Sequence, residues 1–185
     1  LFSGGVDSSV LCALAMRAGA DVVALTVDNG MLSAAQREQA RAGACELGVE
    51  HEVVEVDMLS TPVAQNTSER CYLCKRAMIL AASKVYPDWN IAEGTNTSEV
   101  AQPRAGMRAV RELGVLSPYL ELNIGKAEIR QMAERMGLSC HGLPSDACLA
   151  TRIPRGERIT KDKLERVDRA ELAPVSYTHL TLPTN

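Results

Sequence analysis

The chain has 185 residues, 46% of them apolar and 23% charged, with a formal net charge of −3, a composition that buries a core in one domain or in one and part of a second. A net negative charge offers no global positive field to nucleic acid or anionic lipid, and no run reaches the ~18 apolar residues of a membrane helix; a cytoplasmic location, no membrane and no nucleic-acid partner are the expectation. In chain order, Leu1 and Phe2 read as the stub of a buried strand whose start has been cut, leading directly into SGGVDSS at residues 3–9. Val10, Leu11, Leu14, Ala15 and Ala18 then recur at helical spacing until Gly19. Residues 21–27 (DVVALTV) form a nearly continuous apolar run of strand length, as in a parallel sheet covered on both faces. Ser33 is placed to cap a helix that reaches Leu47 and stops at Gly48, and HEVVEV at 51–56 is the next strand.

Residues 71–85 read as a helix, 90–92 as a short strand with the loop Gly94, Thr95, Asn96 at its carboxyl end, and 104–113 as a further helix. Ile129, Met132, Ala133 and Met136 occupy i, i+3, i+4 and i+7 of a helix over 127–136 that Gly137 closes. Residues 139–156 are loop-like, and 159–172 return to helix. VSYTHLTLPT at 175–184 breaks that pattern and reads like a translated sequencing adapter, so 173–185 is expected to be non-native. The βαβαβ order predicts an α/β fold with a doubly wound, mostly parallel sheet over 1–138. Residues 139–172 then carry a cysteine- and arginine-bearing loop and the start of a smaller carboxyl-terminal region.

Between a strand and a helix, SGGVDSS presents a row of backbone N–H groups and a helix N-terminus to an anion. Gly4 and Gly5 let the backbone approach phosphate oxygens, Ser3, Ser8 and Ser9 add hydroxyl donors, and Val6 carries the turn into the helix. Asp7 cannot favour bare phosphate, which leaves it to hold the turn or to join Mg²⁺ coordination with a triphosphate. The spacing is neither GxxxxGK[ST] nor GxGxxG.

Six cysteines, at 12, 45, 71, 74, 140 and 148, are more suited to metal or thiol chemistry than to disulfides in this context. Cys71 and Cys74 form RCYLCK at a helix start, where the dipole and Arg70, Lys75 and Arg76 favour thiolates able to grip one metal or cluster. Cys12 and Cys45 fall inside helical patterns and read as core. Cys148 lies in PSDACLATRIPRGERIT, read as a flexible loop in which Arg152, Arg155 and Arg158 should lower a thiol pKa and attract an anionic substrate. Arg104, Arg108, Arg152 and Arg155 are candidates for holding carboxylate and phosphate, which a bidentate guanidinium suits; solvated surface arginine is the competing reading for each. Lys126 is near a helix start, where the dipole disfavours it, which suggests a phosphate or carboxylate partner, with a helix-surface lysine as the default.

SGGVDSS resembles the PP-loop of the ATP pyrophosphatase superfamily, whose members cleave ATP between the α and β phosphates and pass AMP to a substrate. That resemblance implies adenosine lying across the carboxyl ends of the sheet, with Val27, Gly94 and Asn96 as contacts. The order of SGGVDSS, RCYLCK, EGTNTSE, SPYLELNIGKAEIRQMAERMGL and PSDACLATRIPRGERIT over residues 1–172 is similar to that of the LarE-type ATP-dependent sacrificial sulfur transferases. This narrower resemblance implies a small-molecule substrate, pyridinium-3,5-biscarboxylic acid mononucleotide. Its carboxylates become thiocarboxylates for the nickel-pincer cofactor, with ATP and Mg²⁺ consumed or bound, in a homo-oligomer. Two sulfur sources stay open: Cys148 itself, converted to dehydroalanine, or a [4Fe-4S] cluster on Cys71, Cys74 and Cys148 whose open iron carries sulfide. A Zn²⁺ site completed by Cys140 or His141 competes with both. Rival readings are tRNA thiolation, an amidotransferase-type synthetase of the GMP or NAD kind, and a non-catalytic nucleotide- or Zn-binding module.

Overall fold

The computed structural model describes residues 1–100, 105–144 and 146–172. Its elements are α1 (Val6–Arg17), β1 (Val23–Asp28), α2 (Ala34–Leu47), β2 (Glu50–Glu55), α3 (Arg70–Val85), α4 (Thr97–Val100), α5 (Ala105–Glu112), α6 (Pro118–Glu121), α7 (Lys126–Met136) and α8 (Lys161–Leu172). Short 3₁₀ turns lie at Pro62–Gln65, Ser139–Gly142 and Leu149–Arg152.

β1 and β2 run parallel, Val23 opposite Glu50 through Asp28 opposite Glu55, and α2 is their crossover. Its limits follow from its sequence: Ser33 Oγ accepts from the Gln36 amide while the Gln36 side chain accepts from the Ser33 amide, and Gly48 ends the helix at φ 65°. On the other side of β1, the Phe2 amide donates to Leu25 O at 2.8 Å and Thr26 Oγ1 donates to Phe2 O at 2.9 Å. The Leu1 ammonium reaches Ala92 O, and Ala92 forms a parallel bridge with Leu116. The lateral order is therefore β2, β1, Leu1–Phe2, Ala92, Leu116. The strand expected over 90–92 shrinks to this single bridge, because the partner segment turns at once into α6 through Pro118, which has no N–H to extend the ladder.

Alternation along the sheet sorts the helices. Phe2 and Ala24 pack with Cys12 of α1 and with Ala40 and Ala44 of α2. Leu1 and Ile91 pack with Ile79 of α3 and with Ala109 and Val110 of α5. Helices thus cover both faces of a short parallel sheet, an α/β arrangement that is mostly helical. Behind α1, Val6 and Val10 meet Ile129 and Ala133 of α7.

The segment read as a flexible loop is anchored instead. Leu149, Ala150, Ile153, Ile159 and Leu164 are buried in one cluster with Met31, Met58 and Val63, and each large apolar side chain so buried contributes about 1.5–3 kcal/mol. The Leu149 amide donates to Met31 O at 3.0 Å and the Ile159 amide to Ala64 O at 2.8 Å. Its prolines and arginines suggested an open loop, but Leu149, Ala150, Ile153 and Ile159 face inward.

Candidate active site

Gly5 stands at the N-terminus of α1 with φ −73° and ψ 163°, and no side chain caps the helix. Its first amides therefore have no intrahelical acceptor and form a ready anion site. Gly4 has φ 71°, and a Cβ added there would lie 2.4 Å from Gln39 O and 2.8 Å from Ala40 Cα of α2. Only glycine fits between the loop and that helix. Ser8 shapes the loop from within: its hydroxyl accepts from the Ser3 amide at 3.2 Å and donates to Gly5 O at 3.1 Å. Ser9 is buried, with its hydroxyl beside the Cys140 thiol.

Three distant segments converge on Asp7. Asn96 Nδ2 donates to Asp7 Oδ1 at 3.1 Å, Lys126 Nζ pairs with Asp7 Oδ2, and the Tyr119 hydroxyl donates to the Asp7 carbonyl at 2.9 Å. Lys126, expected on the surface, has a side chain only 23% exposed. Its helix start is tolerated because an acid sits beside it. Gly94 is pressed against the same turn, a Cβ there falling 3.0 Å from Asp7 Cβ and 3.2 Å from the Ser8 amide nitrogen. Glu93 fixes this contact: although only 4% exposed, its carboxylate accepts from the Thr95 amide, the Thr95 hydroxyl at 2.6 Å and the Ser117 hydroxyl at 2.8 Å, with Lys75 Nζ at 3.5 Å. A buried carboxylate so fully satisfied is a rigid bracket.

These residues border a cleft of about 420 Å³ whose walls include Ser3, Asp7, Ser8, Val27, Gly94 and Asp146. The volume is in the range of small-molecule sites. A larger hollow of about 560 Å³ is lined by Val23, Trp89 and Ile91 and reaches Phe2 and Ser8. The first cleft, walled by Ser3, Asp7 and Ser8 beside the helix N-terminus, suits a phosphate group in kind; Asp7, paired with Lys126, would be the group to hold Mg²⁺ there.

The thiols lie around α3 and the 148–152 turn. Cys71, on the first turn of α3, has Arg70 Nη2 at 3.5 Å and Arg155 Nη2 at 3.9 Å from its sulfur. Partial burial pushes the Cys71 thiol up, but the two guanidiniums outweigh it and leave the pKa below its ordinary value. Cys74 accepts from Asn29 Nδ2 at 3.4 Å and touches Met78 sulfur at 3.8 Å; burial pushes it up to about 11. Cys148 caps the Leu149–Arg152 turn, and both it and Cys74 pack on the cluster of Met31, Leu149 and Ile153. Cys140 is buried elsewhere, among Val6, Val10 and Ile129. Cys45, expected in the core, is exposed on the outer face of α2, while Cys12 is buried as expected.

Among the described residues no three His, Cys, Asp or Glu side chains are gathered as a metal site. The thiols suit a soft metal in kind, and Cys74 feels the charges of both Cys148 and Cys71, so these three are neighbours. The Cys71 environment makes a direct prediction. Its alkylation rate should rise with pH about a midpoint below the ~8.5 of an ordinary thiol, and Arg155→Ala should move that midpoint upward. Peptide-resolved iodoacetamide kinetics measure both, and an unmoved midpoint would dissociate Arg155 from the thiol.

The candidate arginines have separate placements. Arg155 donates to Thr67 O and lies near Cys71. Arg152 donates to Ala147 O at 3.0 Å and pairs with Glu171 and, at 3.5 Å, with Asp146, which borders the cleft. Arg108 stacks 3.5 Å from the Tyr72 ring centroid and pairs with Glu69, half-exposed and engaged at the surface. Arg104 lies outside the described residues.

Comparison with known proteins sets these features in a lineage. The profile of the family described as Queuosine biosynthesis protein QueC matches residues 1–70, the stretch that holds the loop, β1, α2 and β2. An uncharacterized protein of Synechocystis sp. is 36% identical over 180 residues, covering 92% of this chain and 66% of that protein. Over residues 1–70 the chain is therefore similar to PP-loop ATP pyrophosphatases of the QueC-like kind. Other relatives include the pyridinium-3,5-bisthiocarboxylic acid mononucleotide synthase of Lactiplantibacillus plantarum, 27% identical over 176 residues, with 92% of this chain and 64% of that protein covered. The glutamine-hydrolyzing GMP synthase of Thermus thermophilus is 30% identical over 193 residues, with 91% and 38% covered. The chain thus spans about two thirds, or less, of the length of these relatives. No described helix is long and apolar enough to cross a membrane.

Proposed function

We propose that this PP-loop protein is a sulfur transferase that adenylates a carboxylate of a pyridinium mononucleotide, pyridinium-3,5-biscarboxylic acid mononucleotide, and converts it to a thiocarboxylate. The observation that carries the reading is the meeting of two chemistries at one cleft. The uncapped N-terminus of α1 lies on one wall, and Asp146, two residues before Cys148, lies on another. The name of the Lactiplantibacillus relative supports the substrate class.

A carboxylate has no usable leaving group, so ATP must supply one. The substrate oxygen attacks the α-phosphorus, pyrophosphate departs, and the charge that develops on the phosphoryl oxygens is met by the α1 amides and Lys126. The Cys148 thiolate then attacks the acyl carbon, and AMP leaves with its electron pair. A base removes the Cα proton of residue 148, the Cβ–S bond breaks, and sulfur departs as thiocarboxylate, leaving dehydroalanine. Arg152, held beside Asp146, stands near the path of an anionic substrate.

Intact mass after a single turnover tests this reading. The protein should lose roughly 34 Da, mapped to residue 148, for each thiocarboxylate formed. An unchanged residue 148 together with product and protein-bound iron would replace it by delivery from a cluster. Pyrophosphate release with tRNA but not with the pyridinium acid would replace the substrate.

A further inference from the structure

Apart from the residues already placed at the cleft, one buried polar unit stands out. Asn66 is 0% exposed and Arg70 4%, though both are strongly polar. Arg70 Nη1 donates to Asn66 Oδ1 at 2.8 Å and to Ala150 O at 2.7 Å. Asn66 Nδ2 donates in turn to Ile153 O at 3.2 Å and Pro154 O at 2.8 Å, while the Asn66 carbonyl accepts from the Gly156 amide at 3.1 Å. Two side chains four residues apart therefore hold three carbonyls of the backbone between 150 and 154, and the Asn66 main chain holds a fourth point at Gly156, 80 or more residues away in sequence. Arg70 Nη2 also faces the Cys71 sulfur.

A guanidinium is costly to bury and is retained only where its hydrogen bonds are met. Here two of its acceptors, one a backbone carbonyl two residues past Cys148, are supplied by the elements it joins. The apolar cluster beneath the turn is non-directional and would permit small slides of this backbone. The fork of Arg70 and the amide of Asn66 are directional and do not.

We infer that Asn66 and Arg70 are positioning residues for sulfur transfer: they lock the turn that carries Cys148 in register with the cleft. This rests on the sulfur-transfer reading for its chemical consequence, but not for its structural one. A thiol that must reach an acyl-adenylate within a few tenths of an ångström loses rate when its turn drifts, whereas formation of the adenylate, at the other wall, does not depend on that turn.

The test uses Asn66→Asp, which keeps shape and the Arg70 contact but sets a carboxylate oxygen against the Ile153 and Pro154 carbonyls, and Arg70→Lys, which keeps charge but loses the fork. Each should raise the iodoacetamide labelling rate at Cys148 about tenfold, as expected for loss of one buried charge-assisted or amide hydrogen bond. Labelling at exposed Cys45 should stay unchanged. With the pyridinium acid and ATP, kcat for thiocarboxylate formation should fall about tenfold or more while KM for ATP and pyrophosphate release stay within about twofold. Unchanged Cys148 labelling in both variants overturns the inference, and so does an equal loss of pyrophosphate release and sulfur transfer, which marks general unfolding. If Arg70→Lys does not fold, Asn66→Asp alone decides, and the reverse holds equally. Should wild type make no thiocarboxylate, the functional reading fails, while the labelling comparison still judges the clamp.

Discussion

Cys148→Ser is expected to make no thiocarboxylate while still releasing pyrophosphate from ATP. The substitution changes one atom on a half-buried side chain that packs beside Cys74, so the fold has little reason to respond. The hydroxyl differs in two ways that matter. Its pKa lies far above that of a thiol, so it offers almost no anion to attack the acyl-adenylate, and it carries no sulfur to donate even if it did. Adenylation depends on the α1 amides, Asp7 and Lys126 at the opposite wall and should persist at near wild-type rate in the first turnover. The measurement pairs pyrophosphate release with mass spectrometry of the substrate. Thiocarboxylate formed by Cys148→Ser would remove residue 148 as the sulfur source.

The second large effect concerns the ATP site. Gly4→Ala should lower ATP cleavage by about 100-fold, the loss that a displacement near 1 Å of a catalytic group can cause. Two independent causes act together. A φ of 71° is left-handed, costing a non-glycine residue roughly 1–2 kcal/mol, and the new methyl would stand 2.4 Å from Gln39 O. The obstacle is helix backbone, so neither side can yield without moving α2. Gly5→Ala supplies the contrast. At φ −73°, with Ser3 Oγ 3.4 Å from an added Cβ, it should fold normally and report only on how closely phosphate must approach. Thermal melting and pyrophosphate release on both variants separate packing from catalysis; a Gly4→Ala protein that melts and cleaves ATP like wild type would refute the close contact.

Where a feature depends on neighbours in sequence, the chain announces it. The limits of α2 follow from Ser33 and Gly48, those of α7 from Gly137, and the anion-binding loop from its two glycines between strand and helix. The contacts that complete the site are long-range. Lys126 reaches Asp7 across 119 positions, and Arg70 reaches Ala150 across 80. No local periodicity encodes either. The position of Lys126 at a helix start, which disfavours a cation, hints at an anionic partner but cannot say which, because Asp7 lies in another segment. The 139–156 segment looked like loop from its prolines and arginines, whereas the spacing of Leu149, Ala150 and Ile153 signalled an inward face. Cys45 misled in the opposite sense, since a cysteine in a helical pattern says nothing of which side of the helix it occupies.

A single turn of α2 touches both chemical halves of the protein. Gln39 and Ala40 abut Gly4, and three residues earlier Gln36 Nε2 donates to Asp146 Oδ2 at 2.9 Å and to Ala147 O at 3.3 Å. The helix serves as a spacer of fixed length, a second tie beside the Asn66 and Arg70 clamp between the phosphate cradle and the segment that leads to Cys148. Lengthening or rotating that rod would mistune the two half-reactions against each other while leaving each one's own residues in place.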